Sequence, residues 1–177
     1  MTRVMFDSVS AEAFPDSGFD ATAGYVAGRY PSSGPIKKRF PNLPHLTIAV
    51  TSKQDAQCLD VEPGDAIPEE APGWFDRAGT GDIIYSMAGW SSLVIAAMGE
   101  RKFLLWSAHY TGRPHICGPD SCGYPQADAT QWTDKGPNGE NVDQSLISDR
   151  FYSAIGGKVA PPSHDDAEEF IWLSVNT

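Results

Sequence analysis

Eight short apolar or alternating runs, each stopped by turn residues, constrain the fold of this chain more than any other feature. They are Val4–Ser8, Gly24–Tyr30, Leu46–Thr51, Gln57–Val61, Asp82–Ser86, Phe103–Ala108, Ala127–Trp132 and Asn141–Asp143. Runs of this length and composition read as strands. Helical spacing is sparser. Ser10–Phe14 suits a short turn and Pro35–Phe40 a helix. Pro68–Gly79 opens on proline and acids, as a helix N-terminus does. Gly89–Gly99 carries Trp90, Leu93, Val94, Ala97 and Met98 as an apolar stripe, and Gln144–Ile155 repeats the spacing with Leu146, Ile147, Phe151 and Tyr152. Ser52–Ala56 is too short for a helix, and Thr111–Gln126 is too rich in Gly, Pro and Cys. Eight strands with some helices missing predict an α/β fold, a degenerate (β/α)8 TIM-type barrel with several helices shortened or absent, rather than an open doubly wound sheet.

A length of 177 residues suits one domain. The barrel is expected over residues 1–157 and a linker with a C-terminal docking tail over 158–177. Pro161-Pro162-Ser163-His164-Asp165-Asp166 reads as the linker. Glu169-Phe170-Ile171-Trp172-Leu173-Ser174-Val175 is a compact apolar stretch that docks on its own barrel or adds to a partner's sheet.

The most informative segment is Cys58-Leu59-Asp60-Val61-Glu62-Pro63-Gly64. Residues i and i+2 of a strand share a face, so Asp60 and Glu62 project together, and Pro63-Gly64 ends the strand just beyond them. In a barrel this is the carboxyl-terminal mouth, where active sites are built. Cys58 shares that face one layer deeper and reads as a buried small hydrophobe. Two adjacent acids repel, which raises one pKa and makes a general acid of the kind glycosidic cleavage needs. Asp7 ends the first run and Asp143 the last. Closure of a barrel makes those strands neighbours, so Asp7, Asp60, Glu62 and Asp143 are expected at one mouth.

Composition excludes several functions. Twenty-three acids against thirteen bases give a net charge of −10, which repels nucleic-acid phosphates and anionic membranes. No apolar run is long enough to span a bilayer. Gly79-Thr80-Gly81-Asp82 lacks the lysine and the preceding strand of a phosphate loop. Cys117 and Cys122 are close enough in sequence to pair as a disulfide or to remain thiols. With His109 and His115 they also form a zinc-type ligand set, but the spacing is not that of a familiar finger or ribbon. Neither a metal nor another cofactor is expected.

Six motifs carry a family resemblance. They are Met5-Phe6-Asp7-Ser8, Ala23-Gly24-Tyr25-Val26-Ala27-Gly28-Arg29-Tyr30, Cys58-Leu59-Asp60-Val61-Glu62-Pro63-Gly64, Leu105-Trp106-Ser107-Ala108-His109-Tyr110, Ala129-Thr130-Gln131-Trp132-Thr133-Asp134 and Asn141-Val142-Asp143-Gln144-Ser145. In this order the chain resembles the glycoside hydrolase family 25, lysozyme-type barrels, and within them the actinobacterial and phage group of glycoside-hydrolase-like domains. The resemblance implies Glu62 as general acid and Asp60 as the acid that orients the substrate's N-acetyl group. It also implies Asp7 and Asp143 as the polar floor, and Tyr85 and Trp106 lining the sugar site. The chain departs from the family in carrying His109 near the mouth on the sixth strand and Gln131-Trp132 on the seventh; these three are expected at the sugar site as well, with His109 hydrogen-bonded to a carboxylate. Two functions follow: a muramidase-like glycosidase acting on peptidoglycan or another N-acetylated cell-wall glycan, or a non-catalytic phage virion protein of the tail or capsid surface. In the second case the tail would contact other virion proteins. The N-terminus reaches Asp7 too soon for a signal peptide, so synthesis in the cytoplasm is expected, with delivery in a phage virion or release to the cell wall.

Overall fold

The computed structural model describes residues 2–77 and 81–159. Eight strands close into one barrel in sequence order. They are β1 (Thr2–Asp7), β2 (Ala21–Tyr25), β3 (His45–Ala49), β4 (Cys58–Val61), β5 (Ile83–Met87), β6 (Leu104–Ala108), β7 (Ala129–Thr133) and β8 (Asp143–Ser148). Neighbours from β1 to β7 are parallel. The helices are few and short: α1 (Ser33–Arg39), α2 (Ala71–Phe75), α3 (Ser91–Met98) and α4 (Asp149–Ala154). Neither the β3–β4 nor the β6–β7 connection holds a helix, as their lengths and compositions predict. Of the linker and tail, all but residues 158 and 159 lies outside the described residues.

The last strand departs from the sequence reading. Asn141–Asp143 is not the end of a strand, and Gln144–Ser148 is not the start of a helix. The strand begins at Asp143 and runs antiparallel to both β7 and β1. The cause is a tight reversal at Gly136-Pro137-Asn138-Gly139. Gly136 N–H donates to Glu140 O at 2.8 Å, Gly139 N–H donates to Gly136 O at 3.0 Å, and Gly139 takes a φ of +88°. That turn sends the chain back alongside β7 as a hairpin. Ser145 and Ile147 then face the barrel interior, fully buried. The helix starts only after Ser148, whose Oγ accepts the Phe151 N–H at 3.2 Å as an N-cap.

The barrel interior is filled in layers. Phe151 and Ile155 of the α4 region join Met5, Leu46, Ile83 and Leu104 in the inner cluster. Since Ser148 pairs with Thr2, α4 plugs the end opposite the mouth. Above this, Trp106 and Tyr85 stack edge to face with centroids 4.8 Å apart. Each large side chain buried here contributes about 1.5–3 kcal/mol. Leu59, Val61 and Ile84 alternate outward and pack with Trp74, Val94 and Met98 of α2 and α3. Leu93, read as part of that stripe, is instead exposed.

β2 also starts earlier than its composition suggests, at Ala21 rather than Gly24. Its parallel pairing with both β1 and β3 outweighs the weak strand preference of Ala and Gly. Gly24 has a packing role: a Cβ there would lie 2.9 Å from the Ser33 backbone and 3.0 Å from Ile36 Cδ1. The strand thus admits α1 to close contact. Gly34, exposed on α1, has nothing within 4 Å of such a Cβ. Gly24→Ala should therefore lose roughly 1–3 kcal/mol in denaturant unfolding, while Gly34→Ala gains about 0.5 kcal/mol. Equal effects at the two positions would contradict this packing.

Candidate active site

Four carboxyl groups meet at one mouth of the barrel. Asp7 is the last residue of β1 and lies directly opposite Asp143, the first residue of β8. Because β8 runs backwards, its amino-terminal end faces the same way as the carboxyl-terminal ends of the parallel strands. Asp60 is on β4, and Glu62 follows immediately after it. Pro63-Gly64 then makes a corner in which Asp65 N–H donates to Glu62 O at 3.0 Å and Gly64 has a φ of +104°, as a type II turn requires. The corner folds Asp65 back, so that the carboxylates of Asp60, Glu62 and Asp65 come within 4.8 Å of one another.

Gln131 of β7 organises the floor. Its Nε2 donates to Asp143 Oδ2 at 2.9 Å and to both oxygens of Asp7 at 3.3 Å. Its Oε1 accepts the Tyr85 hydroxyl at 2.7 Å and the Tyr110 hydroxyl at 2.9 Å. Gln131 thus ties Asp7 to Asp143, and the charge of Asp143 favours the protonated form of Asp7. Asp60 is 1% exposed, and its Oδ1 is buried with no partner among the described residues. No ion pair joins these acids to lysine or arginine among the described residues.

Burial without a cation favours the neutral carboxyl. Burial raises Asp7 well above the usual carboxylate range, with the Asp143 charge adding to the effect and the Gln131 hydrogen bond opposing it. Burial, then the charges of Asp134 and Glu62, push Asp143 up to about 6. Asp60 is raised by burial and then by Glu62 and Asp65. Glu62, only half-buried, is raised by burial and then by Asp65. The mouth therefore holds acids whose protonated forms are favoured, with Glu62 the more open member of the Asp60–Glu62 pair.

The structure brings together Asp7, Asp60, Glu62, Asp143, Tyr85 and Gln131. It holds Trp106 and His109 elsewhere, while Trp132 stands beside Gln131 at the carboxyl-terminal end of β7. Trp106 is 1% exposed, held by its Nε1 donating to Ser145 Oγ at 3.0 Å and by edge contacts with Tyr85 and Phe151. It lies in the core beneath the mouth and presents no face to a sugar. Among the described residues His109 bonds no carboxylate; its Nδ1 lies 3.1 Å from His115 Nε2, in the loop after β6. Trp132 sits at the irregular step of β7 between Gln131 and Thr133, half-buried, with its indole nitrogen enclosed. Cys117 and Cys122, the disulfide candidates, are thiols with Sγ atoms 2.8 Å apart.

Three residues of the site were missed. Asp65 follows a Pro-Gly corner, which could have flagged it. Tyr110 lies just past β6 and gave no signal beyond its proximity. Tyr25 alternates with Ala21 and Ala23 on the inner face of β2 once that strand is placed correctly. Its hydroxyl is raised by burial and then by the charges of Asp7, Asp60, Glu62 and Asp143, and its ring packs against the inner cluster. A cleft of about 240 Å³ leads away from Tyr25 and Asp65, lined also by Val9, Gly28, Arg29 and the exposed ring of Tyr30.

No helix among the described residues is long and apolar enough to cross a membrane. No protein-family model and no curated protein matches the sequence. Solved structures do. A family GH25 lysozyme from Aspergillus fumigatus superposes with a TM-score of 0.54 and 16% identity, covering 89% of this chain and all of that one. A glycosyl hydrolase 25 of Streptococcus pneumoniae, described as a virulence factor participating in host cell invasion, superposes with a TM-score of 0.56 and 17% identity, covering 84% of this chain and 88% of its own. The chain thus has the fold of the family 25 lysozyme barrels.

Proposed function

We propose that this chain is a muramidase-like glycosidase acting on peptidoglycan or another N-acetylated cell-wall glycan, and that by its strand-end motifs it belongs with the actinobacterial and phage group of such barrels. The supporting observation is the Asp60–Glu62 pair: two carboxyls within 4.8 Å at the mouth, one enclosed with an unsatisfied oxygen and one half-open with a raised pKa. An inverting mechanism needs its two carboxyls roughly 6.5–9.5 Å apart to admit a water between them. With one oxygen of each within 4.8 Å, this pair leaves little room for such a water. It suits a substrate-assisted scheme, in which the sugar supplies its own nucleophile.

In that scheme Glu62 gives its proton to the glycosidic oxygen as the C1–O bond breaks. The acetamido carbonyl oxygen of the same sugar bonds to C1 and forms a cyclic oxazolinium ion. Asp60 accepts the acetamido N–H and turns the carbonyl toward C1. A water then attacks C1 and the C1–O bond to the acetamido group opens. Glu62, now a carboxylate, takes the water's proton. The two displacements leave the anomeric configuration unchanged. Asp7, Asp143 and Gln131 form the polar floor, and the cleft toward Tyr30 offers an exposed ring to a neighbouring sugar. Glu62→Gln should lower release of reducing ends from purified cell walls by at least about 100-fold without changing the melting temperature; undiminished release would remove Glu62 from this role.

The raised acid of the floor gives a separate expectation. Asp143 titrates higher in the folded chain than in the unfolded one, so folding favours its protonated form. Its contribution to stability is complete below about pH 4 and is lost as pH rises through about 6. The loss is on the order of 2–3 kcal/mol. Asp143→Asn keeps an oxygen for Gln131 Nε2 and an amide for Asp7 but does not ionise. Its unfolding free energy, measured by denaturant titration from about pH 4 to about pH 7, should fall less than that of the wild-type chain. Profiles of equal slope would show that the Asp143 proton carries no stability.

A further inference from the structure

The loop between β6 and β7 holds a second constellation, remote in chemistry from the acids. His109, His115, Cys117 and Cys122 each turn one ligand atom toward a common point, and the four atoms lie within 4.8 Å of one another. From this convergence we infer a structural zinc site in which His109 Nδ1, His115 Nε2, Cys117 Sγ and Cys122 Sγ bind one ion.

The distances between donor atoms carry the argument. Zinc bonds of about 2.0–2.1 Å to nitrogen and about 2.3 Å to sulfur, set tetrahedrally, space two nitrogens about 3.3 Å apart and a nitrogen from a sulfur about 3.6 Å. Here His109 Nδ1 and His115 Nε2 are 3.1 Å apart. Cys117 Sγ is 3.6 Å from His109 Nδ1 and 3.5 Å from His115 Nε2. Three of the six edges therefore already match a bound tetrahedron. The Cys117–Cys122 edge, at 2.8 Å, is shorter than the about 3.8 Å of a zinc dithiolate and longer than the about 2.05 Å of a disulfide. A small rotation of the half-buried Cys122 side chain opens it.

The surroundings are those of a metal site. His115 Nδ1 lies 2.9 Å from Arg113 O. A carbonyl only accepts, so Nδ1 carries the hydrogen and the Nε2 lone pair faces the cluster, as carbonyl partners of metal-binding histidines arrange. Cys117 is fully buried and its backbone N–H is fixed to Thr130 Oγ1 at 2.7 Å. Cys122 and Gly123 both donate their N–H to Gly118 O, which curls the chain around the second sulfur. Four protein ligands leave no open position, which is the pattern of structural rather than catalytic zinc. The ion would take the place of the missing helix, pinning a Gly- and Pro-rich connection that begins at β6 and ends at β7.

The full chain, produced in zinc-supplemented medium and purified under reductant without chelator, should retain about one zinc per chain by elemental analysis. Cys122→Ser and His115→Ala should lose it. Exchange of cobalt into the wild-type chain should give the intense visible bands of tetrahedral Co²⁺ together with a thiolate charge-transfer band, and chelator should lower the melting temperature of the wild-type chain alone. The cobalt spectrum decides the matter even where a variant fails to fold. A folded wild-type chain without zinc, or a cobalt spectrum of weak octahedral type lacking the thiolate band, overturns the site.

Discussion

The antiparallel seam between β1 and β8 sets Asp7 opposite Asp143 inside a closed barrel, and much of the mouth follows from the cost of that placement. An isolated charge buried in protein costs many kcal/mol, and two like charges cost more. The pair is tolerated because burial favours the neutral form of both acids and because Gln131 Nε2 donates to both carboxyls. Gln131 can do so only if its oxygen is turned the other way, where the hydroxyls of Tyr85 and Tyr110 meet it. One amide on β7 thus fixes the orientation of two acids and two phenols drawn from β1, β5, β8 and the loop after β6. The same amide holds the floor rigid beneath Asp60 and Glu62.

Such a floor leaves the second acid pair without a cation as well. Asp60 and Glu62 are separated by a difference in enclosure rather than by distance: Asp60 is covered and has an oxygen without a partner, whereas Glu62 stands half in solvent. In the proposed mechanism, environment alone would give them different tasks, a fixed acceptor and an exchangeable proton donor. The Pro63-Gly64 corner contributes by returning Asp65 to the pair, which adds negative charge and keeps Glu62 protonated to higher pH.

Much of this was legible in the sequence, for reasons that can be stated. Strand alternation placed Asp60, Glu62 and Cys58 on one face, and barrel closure placed Asp7 beside Asp143. The position of Asp143 was correct while the direction of its strand was not. Gln144-Ser145-Leu146-Ile147 holds two adjacent apolar residues that fit a helix and a half-buried strand equally well, and the reversal at Pro137-Asn138-Gly139 was the signal that decides between them. Trp106 was misplaced because a strand pattern gives the face of a side chain and not its depth. Its indole is long enough to reach Ser145 across the barrel, which puts it under the mouth. His109 was misassigned because a residue one step beyond a strand no longer obeys the alternation, and its ring is drawn to His115 and Cys117 instead of to the acids.

That last displacement connects the two constellations. Tyr110 is the residue immediately after His109, and its hydroxyl reaches Gln131 Oε1 at the centre of the floor. The backbone carrying it leaves β6 without entering a helix, so little regular hydrogen bonding holds it: His109 N–H is bound to Gln131 O at 2.9 Å and Thr111 N–H to His109 O at 2.9 Å. Anchoring His109 to His115, Cys117 and Cys122 through one ion would restrain the main chain on the amino side of Tyr110, where a barrel of fuller length would use a helix. In a shortened barrel the loss of packed helices removes the usual support for loops at the mouth, and a few metal–ligand bonds replace it with far fewer residues. The Gly- and Pro-rich composition of the β6–β7 connection, unsuited to helix, is well suited to wrapping four ligands around a point.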